Sequence, residues 1–368
     1  MYIDTYKIQH YKNLQELACD LNPRINCFVG ANGMGKTNFL DAVYYTCMGK
    51  SFFSTRDAQV IQDGAAYIRL DARLELSDGP RRVVCKVVPG KLKEIEIDDV
   101  KLERSTHLAG RHPVVMISTQ DDHIIREGSI RRRTYINNIL GQIEPSYMSH
   151  LMTYHKILRQ RNALLKQDAM DYADRRTLAQ GYSESMVQSA EYIHQARVKV
   201  LPRLRKHFTD QHQLIVAEAE QADISLLSDI SSGDFLQIAM DSISSDLNLR
   251  RTTRGIHRDD LDISLDDRRM KDYASQGQMK SAVIALKLAQ YQVMRSEHTE
   301  APIVLLDDIF DRLDEHRVAA LISMLARMDK TQIYISDTDL SRVQRQMETL
   351  DIPWQLYKVD HGMITPIT

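Results

Sequence analysis

Apolar and polar positions change period several times along this 368-residue chain. The run Ile25-Asn26-Cys27-Phe28-Val29 is nearly all apolar and leads directly into a glycine-rich turn, after which Phe39, Leu40, Val43, Tyr44 and Cys47 recur at helical spacing. The order predicted is strand, glycine loop, helix. Over residues 67–98 the period becomes two: Ile68, Leu70, Ala72, Leu74 and Leu76 alternate with Arg69, Asp71, Arg73 and Glu75, and Asp78-Gly79 marks a turn into a second strand over 83–88. That is an antiparallel meander with one wet face. Residues 147–250 read as mainly helical, with Leu151, Tyr154, Leu158, Arg161 and Leu165 on one stripe and a second long helix over 183–207. No heptad repeat lasts long enough for a coiled-coil arm. Strand character returns at Leu261-Asp262-Ile263-Ser264-Leu265, closed by a polar turn at Asp266-Asp267, and a helix carrying Ile284, Leu288 and Tyr291 follows. Ile303-Val304-Leu305-Leu306 has the continuous apolarity of a buried parallel strand. A helix bearing Val318, Leu321, Ile322 and Leu325 then leads to a strand over 332–335. This strand–helix–strand unit is expected to cross over right-handed beside the glycine-loop strand.

Composition changes this picture little. With 43% hydrophobic and 27% charged residues the chain is an ordinary globular one. Its apolar runs are far shorter than the roughly 20 residues of a membrane span, and the first residues lack the pattern of a secretion signal, so a cytoplasmic protein without membrane partners is expected. Cys19, Cys27, Cys47 and Cys85 include no Cys-x-x-Cys pair and read as reduced, mostly buried thiols. The net charge of −2 leaves the partner class open, because binding a polyanion needs a local patch and not a basic total.

The chemistry is concentrated in three segments. Gly30, Ala31, Asn32, Gly33, Met34, Gly35, Lys36 and Thr37 match G-x-x-x-x-G-K-[ST], and Asn38 follows on the helix. Glycines let backbone N–H groups close around phosphate oxygens, Lys36 brings a point charge, the Thr37 hydroxyl suits Mg²⁺, and the helix aims its positive end at the anion. Asp307-Asp308 ends the buried strand, where carboxylates reach the metal-binding edge of a sheet. Asp307 is expected to hold Mg²⁺ through water, and Asp308 to orient or deprotonate the attacking water. Ser275-Gln276-Gly277-Gln278 opens a helix and reads either as an N-cap or as an anion contact. The densest basic run, Arg126, Arg131, Arg132 and Arg133, suits DNA phosphates or, equally, a solvated or packing face; Arg56, Arg159, Arg161 and Lys166 are further candidates.

Together these segments resemble the ABC-type ATPases of the RecF, structural-maintenance and Rad50 class. Within that class the likeness to the RecF family covers nearly the whole chain. Gly255-Ile256-His257-Arg258-Asp259-Asp260 resembles its G-P-H-R-D-D motif, Leu158-Arg159-Gln160-Arg161-Asn162-Ala163-Leu164-Leu165-Lys166 its Q-R-N-x-L-L-K helix, and Ala274 to Gln278 its A-S-Q-G-Q signature. Ile256 replaces the usual proline, residues 118–123 depart from the P-E-D-L pattern and make Gln120 a weak Q-loop match, and Ser336-Asp337-Thr338 offers no histidine switch. The resemblance implies an α/β fold: an ABC-type P-loop head with a mixed sheet core and an antiparallel meander, plus a second, mainly helical lobe. Residues 1–115 with 290–368 would form lobe I, and 116–289 lobe II carrying the signature.

It also implies ATP and Mg²⁺ as ligands. Catalysis would fall to Lys36, Asp307 and Asp308, with Ser275, Gly277 and Gln278 closing in trans on a partner's γ-phosphate and Asp314 as the D-loop aspartate. An ATP-dependent homodimer would act on single- and double-stranded DNA at gap junctions during DNA damage and SOS repair. It would hydrolyse ATP slowly and work with RecR and RecO to help RecA load. Two alternatives remain: a nucleotide-binding motor subunit for a membrane or protein partner, and a DNA-binding scaffold whose ATP site is structural. A structural-maintenance or Rad50 protein is excluded, since 37–275 leaves no room for long arms.

Overall fold

The computed structural model describes residues 1–216, 220–310 and 314–367. Strands β1 (Tyr2–Tyr11), β2 (Leu14–Asp20) and β3 (Ile25–Val29) lead into helix α1 (Lys36–Met48), followed by β4 (Ile68–Leu76), β5 (Gly79–Val87), β6 (Glu94–Ile97), β7 (Val100–Lys101) and β8 (Val114–Ser118). An antiparallel sheet of order β2-β1-β4-β5-β6-β7 realises the expected meander. Its hairpin turn is Ser77-Asp78, one residue earlier than expected, because Leu76 pairs with Gly79. The period-two pattern buries Ile68, Leu70, Ala72 and Leu74 and leaves Arg73 in solvent.

Next come α2 (His123–Arg126), α3 (Ser129–Ile143), α4 (Tyr147–Leu164), α5 (Tyr172–Val216), β9 (Ala222–Leu227), α6 (Phe235–Asp241), α7 (Ile243–Leu249), β10 (Asp260–Leu265), β11 (Arg268–Arg269) and α8 (Met270–Tyr273). Helix α5 far exceeds the expected 183–207 and continues through Pro202. A proline inside a helix costs about 3 kcal/mol. Here Ala190, Ile193, Val200, Leu204 and Phe208 carry one buried stripe across it, and each large apolar side chain fully buried contributes roughly 1.5–3 kcal/mol. Strand β9, inside the segment read as helical, pairs antiparallel with β10 in a three-stranded sheet. Its alternation, Ala222 and Ile224 buried against Asp223 and Ser225, is too short to stand out in sequence.

The chain ends with α9 (Gln276–Glu297), β12 (Ile303–Asp307), α10 (Glu315–Ala326), β13 (Ile333–Asp337), α11 (Leu340–Met347), β14 (Trp354–Asp360) and β15 (Met363–Ile367). The mixed sheet has the order β15-β14-β3-β13-β12-β8, parallel except for β15. Strand β13 lies directly beside the glycine-loop strand, as expected. The β14–β15 hairpin, which no pattern announced, flanks β3 on the other side. Phe28 on β3 stacks between Tyr334 of β13 and Tyr357 of β14, with Phe39 of α1 at 4.5 Å. This aromatic cluster fixes the base of the glycine loop.

Two compact units result: Met1–Asp122, Asp210–Ala219 and Ser275–Thr368 form one, His123–Thr209 and Glu220–Ala274 the other. In this division the helix opened by Ser275 belongs with the glycine loop. Among the described residues no helix is long and apolar enough to cross a membrane.

Candidate nucleotide-binding site

Parallel pairing brings several strand ends to one edge. Asp307 of β12 is in register with Ser118 of β8 and Ser336 of β13, and Asp337 of β13 with Val29 of β3. The glycine loop springs from that edge. Gly30 has to be glycine, since a Cβ there would meet the Val359 carbonyl oxygen at 2.2 Å. No side chain caps the start of α1, so its first N–H groups face the loop uncapped by the chain's own side chains.

Lys36 is 3% exposed and folds back over the loop, its Nζ donating to the carbonyl oxygens of Gly30 (2.8 Å) and Ala31 (3.1 Å). Asn13, in the β1–β2 turn, buttresses the loop from outside. Its Nδ2 donates to the Gly33 carbonyl and its Oδ1 accepts from Asn38 Nδ2 at 2.7 Å. On the second turn of α1, buried Asp41 accepts bonds from Tyr11, Lys12, Ser51 and the Phe52 backbone N–H.

Asp307 lies in the middle of the edge. Its Oδ1 accepts from Thr37 Oγ1 (2.9 Å) and Ser336 Oγ (2.8 Å). Burial is the main cause that raises its carboxyl to about 6; the two hydroxyls and Lys36 pull the other way, and Asp308 adds to the rise. Asp308 follows with φ of 49°, a left-handed conformation uncommon outside glycine, and its N–H donates to Ser336 Oγ at 3.0 Å. Ser336, near the end of β13 in the segment where sequence offered no histidine, thus joins both acids. Gln120 is exposed in the short turn after β8, the strand hydrogen-bonded to β12.

Ser275 caps α9: its Oγ accepts from Gln278 N, and Gln278 Oε1 accepts from Ser275 N at 2.7 Å, a reciprocal capping box. The helix start remains exposed. Beside it lies Arg317 of α10, which sequence reasoning missed. Its Nη1 is 3.2 Å from where a Gly277 Cβ would sit, and it pairs with Asp314 at 2.7 Å while Asp314 caps α10. Glycine at 277 therefore leaves room for a guanidinium. Asp311, Arg312 and Leu313 of the same segment lie outside the described residues. Farther along α9, buried Lys287 pairs with Asp121 at 2.8 Å and donates to the Met116 carbonyl, tying this helix to the end of β8.

Of the readings left open for the basic run, packing holds for part of it. Arg132 is buried, clamped in two bonds by Asp260 (2.6 and 2.9 Å) and donating to the Glu127 carbonyl. Arg161 is likewise enclosed, paired with Asp246 at 2.7 Å. These two are corrected from DNA contacts to internal struts, because their guanidiniums are already desolvated and neutralised. Arg133 is half-buried and donates to the Asp259 carbonyl; Arg131 pairs with Glu127; Arg126 is exposed.

Comparison with known proteins gives a consistent result. Residues 2–365 match the family model of the RecF/RecN/SMC N terminal domain. The chain is 35% identical over 359 residues to the DNA replication and repair protein RecF of Flavobacterium johnsoniae, covering 98% of this chain and 99% of that protein. It is also 35% identical over 366 residues to the protein of the same name from Cytophaga hutchinsonii, covering 99% and 96%. A solved structure of the recombination mediator protein RecF-ATP in the RecFOR pathway superposes with a TM-score of 0.88 over 100% of this chain and 98% of that one, at 24% identity. An Smc head domain derived from Pyrococcus furiosus, solved with an extended coiled coil bound to the C-terminal domain of ScpA, gives 0.58 at 14% identity, covering 100% and 96%. The last two establish the fold, an ABC-type ATPase head.

Proposed function

Since the chain belongs to the RecF family of DNA replication and repair proteins, we propose that it is a slow, DNA-dependent ATPase of recombinational repair. ATP phosphates would lie on the 30–37 loop and the start of α1, where Lys36 exchanges its two loop carbonyls for phosphate oxygens. Mg²⁺ suits Thr37 Oγ1 and Asp307, a buried carboxyl that accepts from two hydroxyls and makes no ion pair among the described residues, and would supply the charge that balances the phosphates. Asp308 orients or deprotonates the attacking water.

In this reading Ser275, Gly277 and Gln278 of one copy close on the nucleotide of a second, with Asp314 alongside, so that ATP holds a homodimer on DNA and hydrolysis releases it. The dimer works in the cytoplasm at single-strand gaps and junctions, with RecR and RecO, in support of RecA loading. The observation that carries this reading is the convergence of Thr37, Asp307, Asp308 and Ser336 at the mouth of the glycine loop.

The test is fluorescence anisotropy of a gapped duplex with ATP and with ADP, run beside Lys36→Met. Tighter binding with ATP, lost in the variant, is expected; no DNA binding in any state would favour a motor for another partner. Size-exclusion chromatography tests the dimer. Asp308→Asn is expected to remain dimeric with ATP, and Ser275→Arg to stay monomeric while still binding nucleotide.

A further inference from the structure

The Gly255-Ile256-His257-Arg258-Asp259-Asp260 turn takes no part in the nucleotide chemistry, and its charges are sharply divided. Asp259 is buried against Arg197 at 2.6 Å, with both side chains 1% exposed, and Asp260 holds Arg132. The Ile256 carbonyl also accepts from Arg197, and the His257 ring is fixed between Tyr154 OH (2.8 Å) and the Thr252 carbonyl (3.2 Å). Arg258 alone is turned out to solvent, with no ion pair among the described residues.

Its surroundings carry the same sign. Helix α4 contains no acidic residue from Tyr147 to Leu164. Lys156 and Arg159 are exposed on it, three residues and so about 4.5 Å of rise apart on one side, and neither makes an ion pair among the described residues. His155 reports the local field. Burial comes first in lowering it, and the charges that lower it further are Arg197, Arg159 and Arg133. His257 is held down to about 4, again by burial first, with Arg258, Arg133 and His155 adding to the effect. Both aspartates of the turn are already paired inward, and Asp229, which accepts from the Gly255 N–H, is taken up by Arg254 at 2.7 Å, so Arg258, Lys156 and Arg159 are each exposed with no ion pair among the described residues.

We propose that Arg258, Lys156 and Arg159, backed by Arg133, form a phosphate-binding surface that grips the backbone of nucleic acid, and that the buried pairs of the 255–260 turn serve to present it. This rests on the DNA-binding reading above and assigns it a place. Contacts of this kind are insensitive to sequence and strongly dependent on salt.

The experiment is the affinity for a gapped duplex as a function of KCl, with ATP, for the wild type and for Lys156→Gln/Arg159→Gln/Arg258→Gln. Each backbone phosphate that is no longer neutralised lowers the log–log slope by about 0.9, so the triple variant should drop by two to three units of slope and, near 0.15 M salt, about a hundredfold in affinity. Arg258→Lys should keep the slope, as should Lys7→Gln/Lys86→Gln on the meander. Nucleotide binding should be unchanged in all of them. A triple variant with wild-type slope, while the wild type binds DNA, would overturn this surface and leave the function standing. A wild type with no DNA affinity would overturn both.

Discussion

Buried charge is handled in opposite ways at two places in the molecule. Around α4 and the first part of α5, Arg161 meets Asp246 and Arg197 meets Asp259, at 2.7 and 2.6 Å, supported by Thr252, Tyr147 and Asn137. In the nucleotide unit, Asp307 is 5% exposed yet makes no ion pair among the described residues, and Lys36 rests on carbonyl dipoles alone. Asp41 in the same unit shows that this is no general property of it, for Lys12 neutralises Asp41 at 2.7 Å. Pairs of the first kind hold structure, since the desolvation of each ion is offset by its partner. Charges of the second kind carry an unbalanced cost that a ligand relieves, which is why perturbed carboxyls mark functional sites.

Arg197→Ala breaks the comparison most severely. It leaves Asp259 buried without its cation and should cost about 3–5 kcal/mol, read as a lower urea midpoint. Asp307→Asn should do the reverse, with a thermal midpoint at pH 7.5 equal to or above wild type and Mg²⁺-dependent ATP binding lost. The sign follows from the raised carboxyl: its contribution to stability is complete below the unfolded value and lost as pH rises through about 6. The proton also competes with the metal, so Mg²⁺-supported ATP affinity should fall by up to about tenfold per pH unit below 6, which titration calorimetry between pH 5 and 7.5 would reveal. A flat profile would place the raised carboxyl outside the metal site. Arg317→Ala is the mildest change. Its pair with Asp314 is partly exposed, so stability should shift by no more than about 1 kcal/mol. ATP-driven dimerisation should weaken several-fold with monomer nucleotide affinity unchanged, as measured by sedimentation and by nucleotide fluorescence.

Much of this was legible in the sequence where chemistry is local. The glycine loop is one contiguous segment whose residues each have a backbone reason, and the acids at 307–308 close an unmistakable buried strand. The meander showed because one wet face imposes a period of two. Strand β14 did not show: Trp354 and Gln355 are only half-buried, and its pairing with β3 joins residues more than 300 positions apart. Helix α5 runs past the expected 183–207 at both ends, and the buried stripe that carries it through Pro202 exists only in the fold.

The sequence by itself determined where the glycine loop, its lysine and hydroxyl, and the strand-end acids lie, because these are specified by backbone conformation and element type. Only the tertiary structure decided which of the many arginines remain for solvent. Arg132 and Arg133 are neighbours in one basic run, yet Asp260 clamps the first through 128 positions of intervening chain while the second reaches only a carbonyl. Helical period says which side a residue faces, but not whether a carboxylate from a distant turn already occupies that side. It was likewise the parallel register of β12 and β13 that set Ser336 against Asp307, and the meeting of α9 with α10 that brought Arg317 to Gly277.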